Sequence, residues 1–498
     1  MHIIGRKFFY LLLLLTVALI PIVLIPRIPT MNPAIHSKEL ASRFLLAGMG
    51  FMVILLWRWQ PRRRLDLPQI ALLSIVAVNL MATFASQRAG YSFFGFWHLW
   101  GFTLLALAIY RYAPSMNECR KFIIVIIGAA AIVAIYGMSA YFGFNPLRTF
   151  YPFVFKTEEG RNYIHSFLGN PEYFGGYMAP VAALAFSRFF RSGARAWQRL
   201  LWLIAVLFFL IALMLSGTRG ATIGFAVAAV ILLVREFPAL PRRTRKWLGA
   251  SLIALACATL AAIMVFSFPN PLNRRNVRIA QRFADLFDVT TASVRERILF
   301  FSVAGRMIAA NPLLGVGPGG FRLEFYPTVA SLVQADSRAG VEMMAIDLQN
   351  RVAEHAHNDY LEIWCQTGTL GLAAFLFLIS VGTAQFITTR RPALAGADDT
   401  GTHAKDHAPG PPGSDPTDPP APNKPLAQMN AGDAATSCIT QKMSELELCR
   451  TGFFAAAACI FINAAFSFPF HLPERASLAW TLVGFFFASN RALREMME

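Results

Sequence analysis

The chain has 498 residues, of which 56% are hydrophobic and only 15% charged, with a formal net charge of +17. Together with a mean hydropathy of +0.48, that composition excludes an ordinary water-soluble globular domain and points to a membrane protein. The positive charge would suit a nucleic-acid partner, but its placement along the chain argues against one.

Apolar runs near 8–25, 41–57, 68–85, 95–110, 122–143, 173–187, 199–215, 220–234, 247–268, 370–388, 451–469 and 475–490 are mostly long enough to cross ~30 Å of hydrocarbon as helices. They predict an all-α polytopic membrane protein with about twelve spans. The first run follows "GRKFFY"; it is long for a signal-peptide core and lacks a small-x-small cleavage site, so it is expected as the first membrane helix. Basic residues fall at every second connection: Arg6 and Lys7; Arg58 with Arg62 to Arg64; Arg111, Arg120 and Lys121; Arg188 to Arg199; Arg235 to Lys246; Arg390 and Arg391; Arg491 and Arg494. Positive residues favour the cytoplasmic side, so both termini are expected there and the span count should be even. This bias accounts for much of the charge, and nucleic-acid binding is not expected.

Two connections are too long for turns. By parity 269–369 lies outside and 389–450 inside. The inner one contains "APGPPGSDPTDPPAPNKP", too rich in Pro, Gly and Asp to build a core, and is expected as a disordered cytoplasmic linker. The outer one has apolar-periodic stretches at 293–310 and 328–353, expected as helices lying over the membrane face. With a second outer segment at 144–172 it is expected to roof one cavity. The expected organisation is therefore membrane helices one to nine over 1–268, an outer loop domain over 269–369, the tenth helix at 370–388, the linker at 389–450 and the last two helices at 451–498. Five of the six cysteines lie in spans or on cytoplasmic segments and Cys365 lies beside the helix at 370, with no CxxC or Cys/His spacing, so neither a disulfide framework nor a metal site is implied.

Three places carry residues suited to chemistry. Arg219 sits in "MLSGTRGATIGF", where Gly217 and Gly220 predict a tight hairpin at the outer surface. An arginine there either has an anionic partner or snorkels from a helix end. Arg297 lies in a predicted helix over 293–310 that runs into the glycine-rich turn 315–320; a guanidinium can grip phosphate oxygens with two parallel hydrogen bonds. The turn "GVGPGG" lacks the Gly-Lys-Ser/Thr ending of a P-loop. Finally, "HAHNDYLEIWCQTGTLGLAAF" places His357 ahead of a short helix that breaks at Gly368. An imidazole at the membrane boundary can titrate near neutral pH and reach a lipid-borne substrate. Asn358 or Asp359 is suited to cap that helix, His355 reads as a polar neighbour, and Asp285 and Asp288 as a loose solvated pair.

At these residues the sequence resembles the O-antigen ligase family, which includes Wzy-type polymerases and protein O-oligosaccharyltransferases. The pattern H-N-x9-G-x-x-G, here His357, Asn358, Gly368 and Gly371, matches the ligase signature. "SGTRGA" around Arg219 is similar to a family feature, as is an arginine fifteen residues before "PLLGVGPGGF", which selects Arg297 rather than Arg295. "GNPEYFGGY" at 169–177 is similar to other relatives. The resemblance implies a GT-C-class glycosyltransferase of the bacterial inner membrane, in lipopolysaccharide biosynthesis. It would move a glycan from undecaprenyl pyrophosphate to an acceptor hydroxyl at the periplasmic face, inverting the anomeric centre and needing no metal or cofactor. Arg219 and Arg297 would hold the diphosphate, His357 would orient or deprotonate the acceptor, and Asn358 would support the histidine. Lipid A core is the favoured acceptor; a second lipid-linked repeat unit or a protein hydroxyl are the alternatives. A polysaccharide flippase, the competing class, would show duplicated halves and paired broken helices, and neither stands out.

Overall fold

In hydrocarbon every backbone N–H and C=O must find a partner within the chain, and helices satisfy both locally. The computed structural model obeys this: it describes residues 2–25, 33–57, 64–95, 97–112, 116–149, 164, 166–191, 194–240, 242–273, 292–335, 353–389 and 431–497, and these contain helices and no strand. The helices are α1 (His2–Leu19), α2 (Pro33–Trp57), α3 (Leu67–Ala85), α4 (Ala89–Gly95), α5 (Trp97–Tyr112), α6 (Met116–Tyr141), α7 (Pro171–Phe189), α8 (Ala196–Ser216), α9 (Arg219–Glu236), α10 (Arg242–Val265), α11 (Ala292–Ala310), α12 (Gly320–Ala335), α13 (Asp359–Thr388), α14 (Ala431–Ala464) and α15 (Pro473–Met497).

Six of these, α2, α3, α6, α8, α10 and α13, contain stretches long and apolar enough to span a membrane, and the pair α4–α5, bent by 43°, makes up to seven. The other expected spans are also helical but fall below that measure, and burial explains two of them. From Tyr173 to Phe189 every residue of α7 is buried, as is every residue of α15 from Pro473 to Asn490. Helices enclosed by protein need not match lipid, so they carry Glu172, Arg188, Glu474 and Arg475 at positions a lipid-facing helix could not tolerate. Conversely, Phe44, Ile54, Phe84, Val234 and Ile253 are each at least two-thirds exposed, a surface that water would not support and lipid would.

α7 packs against α8, α9 and α14, and its two ends differ. At its C-terminal end Glu445 accepts Arg188 at 3.4 Å and Arg191 at 3.1 Å, with Arg120 at 3.4 Å. Beside it the fully buried Arg450 meets Glu447 at 2.7 Å and Arg235 meets the same carboxylate at 3.2 Å. At its N-terminal end lies the cluster around His357 described below. A second, smaller core, built from Leu299, Phe300, Val303, Phe321 and Phe325 with Ala356 and Cys365, joins α11 and α12 to the start of α13.

The short helix expected to break at Gly368 and the membrane helix expected from 370 are both present, joined as α13 across a non-helical Gly368. The expected linker 389–450 is already helical from Ala431; its Pro-rich part lies outside the described residues. Of the expected amphipathic stretch 328–353, α12 ends at Ala335 and 336–352 lie outside them, as do most of 150–165, Asp285 and Asp288.

Removing the shared carboxylate by Glu447→Ala strands a buried guanidinium, at a cost of about 3–5 kcal/mol. Thermal unfolding of the detergent-purified variant is expected to fall by several degrees; an unchanged transition would show that the arginines are satisfied without Glu447.

Candidate active site

Two adjacent glycines near the start of α7 are what bring distant residues together. Asn170 caps α7, accepting the Glu172 N–H at 2.8 Å, so Glu172 stands in the first turn, where the helix dipole favours a carboxylate. A side chain on Gly175 would collide with Ser216 and Thr218, and one on Gly176 with Arg475. These two glycines thus admit the α8–α9 turn on one side and α15 on the other. The turn itself is the hairpin expected from sequence: Gly217 closes α8 in the left-handed conformation, φ 65°, and Arg219 opens α9. Thr218 Oγ donates to the Pro171 carbonyl at 3.2 Å, which places the Arg219 turn against the residue preceding Glu172.

His357 approaches from the other side. Asn358 is the cap of α13, its Oδ1 accepting the Leu361 N–H at 3.1 Å, while its Nδ2 donates to the Ala465 carbonyl at 3.1 Å. Asp359 N–H donates to the Ser467 carbonyl at 3.1 Å, and its carboxylate accepts the Phe470 N–H at 2.9 Å. So anchored, His357 is held at φ 55°, a left-handed conformation that costs a non-glycine residue about 1–3 kcal/mol and recurs at functional sites. Its ring stacks on Phe300 at 5.6 Å and meets the edge of Phe468 at 4.9 Å, and its Nδ1 lies 3.9 Å from Glu172 Oε2.

Arg297 precedes Phe300 by three residues on α11 and so shares its helix face; Arg295 is exposed. Among the charges His357 feels are Glu172, Arg297 and His355, and among those Glu172 feels are His357, Arg475 and Arg297. The register of α11 is set by the glycine signature. Gly368 sits at φ 66°, and a Cβ there would strike the Leu313 backbone; Thr369 N–H donates to the Pro312 carbonyl at 2.8 Å and Val316 N–H to the Cys365 carbonyl at 2.9 Å. The kink therefore receives the 311–320 turn, which carries α11 to His357.

Sequence reasoning missed Glu172, Phe468, Arg475 and His471. Phe468 is the shared wall, stacking on His355 at 4.3 Å and packing edge-on to Tyr173 at 5.8 Å. Arg475, fully buried, donates to Ser467 Oγ at 3.1 Å and lies over the Tyr173 ring. His471 pairs with Asp359 at 2.6 Å; burial opposes its charge, but Glu362 and Asp359 outweigh that and raise its pKa to about 9.

Residues 204–376 match the O-antigen ligase family (Wzy_C). The match covers about a third of the chain. It contains Arg219, Arg297, His357, Asn358, Gly368 and Gly371, while Glu172, Phe468, His471 and Arg475 lie outside the matched segment. Members of this family are glycosyltransferase-like enzymes of ligase or polymerase type. No curated protein matches the chain.

Burial pushes the His357 pKa below its ordinary 6.5; Glu172 opposes that shift and Arg297 adds to it. The imidazole is therefore neutral at pH 7 and able to accept a proton. Activity that needs this base falls only as pH drops below 6.5. Glu172→Gln removes a charge that raises the His357 pKa, so the acid limb of kcat/KM should move to lower pH; a shift to higher pH would show that Glu172 does not act on His357.

Proposed function

We propose that the chain is a glycosyltransferase that moves a glycan, an O-antigen, from undecaprenyl pyrophosphate to an acceptor hydroxyl, lipid A core in the first instance, at the periplasmic face of a bacterial inner membrane. What supports this reading is that His357 lies 3.9 Å from Glu172, that Arg297 is among the charges acting on both, and that the turn carrying Arg219 bonds to Pro171 beside Glu172, inside a bundle whose outer surface suits lipid. The basic cluster at the far end of α7 supports the orientation, because positive residues favour the cytoplasmic side and the His357 end then faces outward. The shape proposed is a GT-C-type bundle of about twelve spans, counting enclosed helices such as α7 and α15 that need not be apolar all round.

The chemistry follows from the residue types. His357 takes the proton from the acceptor hydroxyl; the acceptor oxygen attacks the anomeric carbon from the side opposite the diphosphate; the bond from that carbon to the phosphate oxygen breaks, and its electron pair stays on the leaving diphosphate. The anomeric configuration inverts. Arg219 and Arg297 neutralise the charge that grows on the diphosphate, using donors already in place. Glu172 stabilises the imidazolium that forms on His357, and general-base action of this kind contributes ~10²–10⁴-fold. Asn358 positions the histidine and does not touch substrate. Side-chain cations supply the electrostatic work, so the transfer step itself is written without a metal.

With purified protein, lipid-linked glycan and lipid A core, His357→Ala is expected to lose transfer by at least ~10²-fold while still binding donor. Arg219→Lys keeps the charge but loses the planar fork and should lower kcat markedly. Full transfer by His357→Ala removes the base assignment, and unchanged kinetics for Arg219→Lys would show that Arg219 only anchors its helix end.

A further inference from the structure

Behind His357 lies a second group of ionisable side chains that the transfer reaction does not use. His355, Glu362 and His471 each offer one ligating atom, and these atoms all lie within 4.8 Å of one another. They come from three segments: the stretch before α13, the first turn of α13, and the short 3-10 helix Pro469–His471. His355 Nδ1 is 2.8 Å from Glu362 Oε1, and His471 Nε2 is 3.4 Å from the same oxygen. We infer that His355, Glu362 and His471 form a binding site for a divalent transition-metal ion of the zinc type, which clamps the His357 loop to α13 and to the 469–471 segment.

Ligand chemistry and support both fit. Two imidazole nitrogens and one carboxylate oxygen are a donor set that zinc accepts, with a fourth position left for water. A metal-bound histidine ordinarily gives its other ring nitrogen to a carboxylate or carbonyl, which fixes the tautomer. His471 does so: its Nδ1 faces Asp359 Oδ1 at 2.6 Å, which leaves Nε2, 3.4 Å from Glu362 Oε1, to take the ion in place of its proton. Glu362 is itself held, accepting the Ala356 N–H on Oε2 at 2.9 Å and Gln366 Nε2 on Oε1 at 3.0 Å. Asp359 is held by the Phe470 N–H at 2.9 Å.

Charge calls for a cation at this place. Both carboxylates are fully buried, while the side chains of His355 and His471 are 19% and 15% exposed, which leaves a path for an ion. A divalent ion cancels the charge of Asp359 and Glu362, a cheaper state away from water than two uncompensated carboxylates. The ion carries no step of glycosyl transfer. Its effect is to pin His355, and through it the strained His357 two residues later, to the wall formed by Phe468.

The test uses the full chain in detergent with any affinity tag removed, stripped with chelator, loaded with zinc chloride and desalted. Elemental analysis is expected to find about one zinc per wild-type chain and background in His355→Gln and Glu362→Gln. Cobalt(II) loading should give visible d–d absorption bands in the wild type that are lost in His471→Gln, and zinc should raise the wild-type melting temperature but not that of His355→Gln. A wild-type chain that keeps no zinc overturns the site, as does equal zinc retention by wild type and the variants. Neither result bears on the glycosyltransferase proposal, which is read from transfer.

Discussion

The candidate site depends on one docking event: the first turn of α13 seated on the chain reversal between α14 and α15. Asn358 reaches back to Ala465, Asp359 donates to Ser467 and accepts from Phe470, and Tyr360 Oη donates to the Phe461 carbonyl at 2.9 Å. These bonds lie among buried and half-buried atoms, where an unmade bond costs more than a made one gains, so they fix the start of the helix in place and direction. His357, the residue before the cap, has little freedom left. Its left-handed backbone is strain that the docking sustains.

The same docking explains why so much charge is tolerated inside the bundle. Phe468 belongs to the reversal and packs against His355, His357 and Arg475, giving cationic or potentially cationic groups a low-cost surface. α7 and α15, enclosed on all sides, bring Glu172 and Arg475 to that place. A carboxylate in the first turn of α7, a guanidinium on α15 and an imidazole ahead of α13 then interact over short distances in a poorly screened setting. Distances that would mean little at a surface set protonation here.

Much of the site was legible because several of its parts are local. A cap before a helix, a glycine break nine residues later and a two-glycine hairpin each depend on neighbours in sequence, and Asn358, Gly368 and Gly217 occupy the expected conformations. The family pattern selects Arg297 over Arg295; in the structure Arg297 lies one helical turn before Phe300, which stacks on His357, and Arg295 is exposed. Glu172, Phe468, His471 and Arg475 were not legible, because nothing near them in sequence says which distant segment they meet. Gly175 and Gly176 were the available signal, two adjacent glycines in a helix that would lose stability unless something approached closely.

The most direct measurement is an experimental structure of the protein in lipid with an undecaprenyl pyrophosphate-linked glycan bound. The account predicts the diphosphate within hydrogen-bonding distance of both Arg219 and Arg297, the polyprenyl tail leaving toward lipid, and His357 on the opposite side of the anomeric carbon. A diphosphate bound at the Glu445 and Glu447 end of α7, or touching neither arginine, would contradict it.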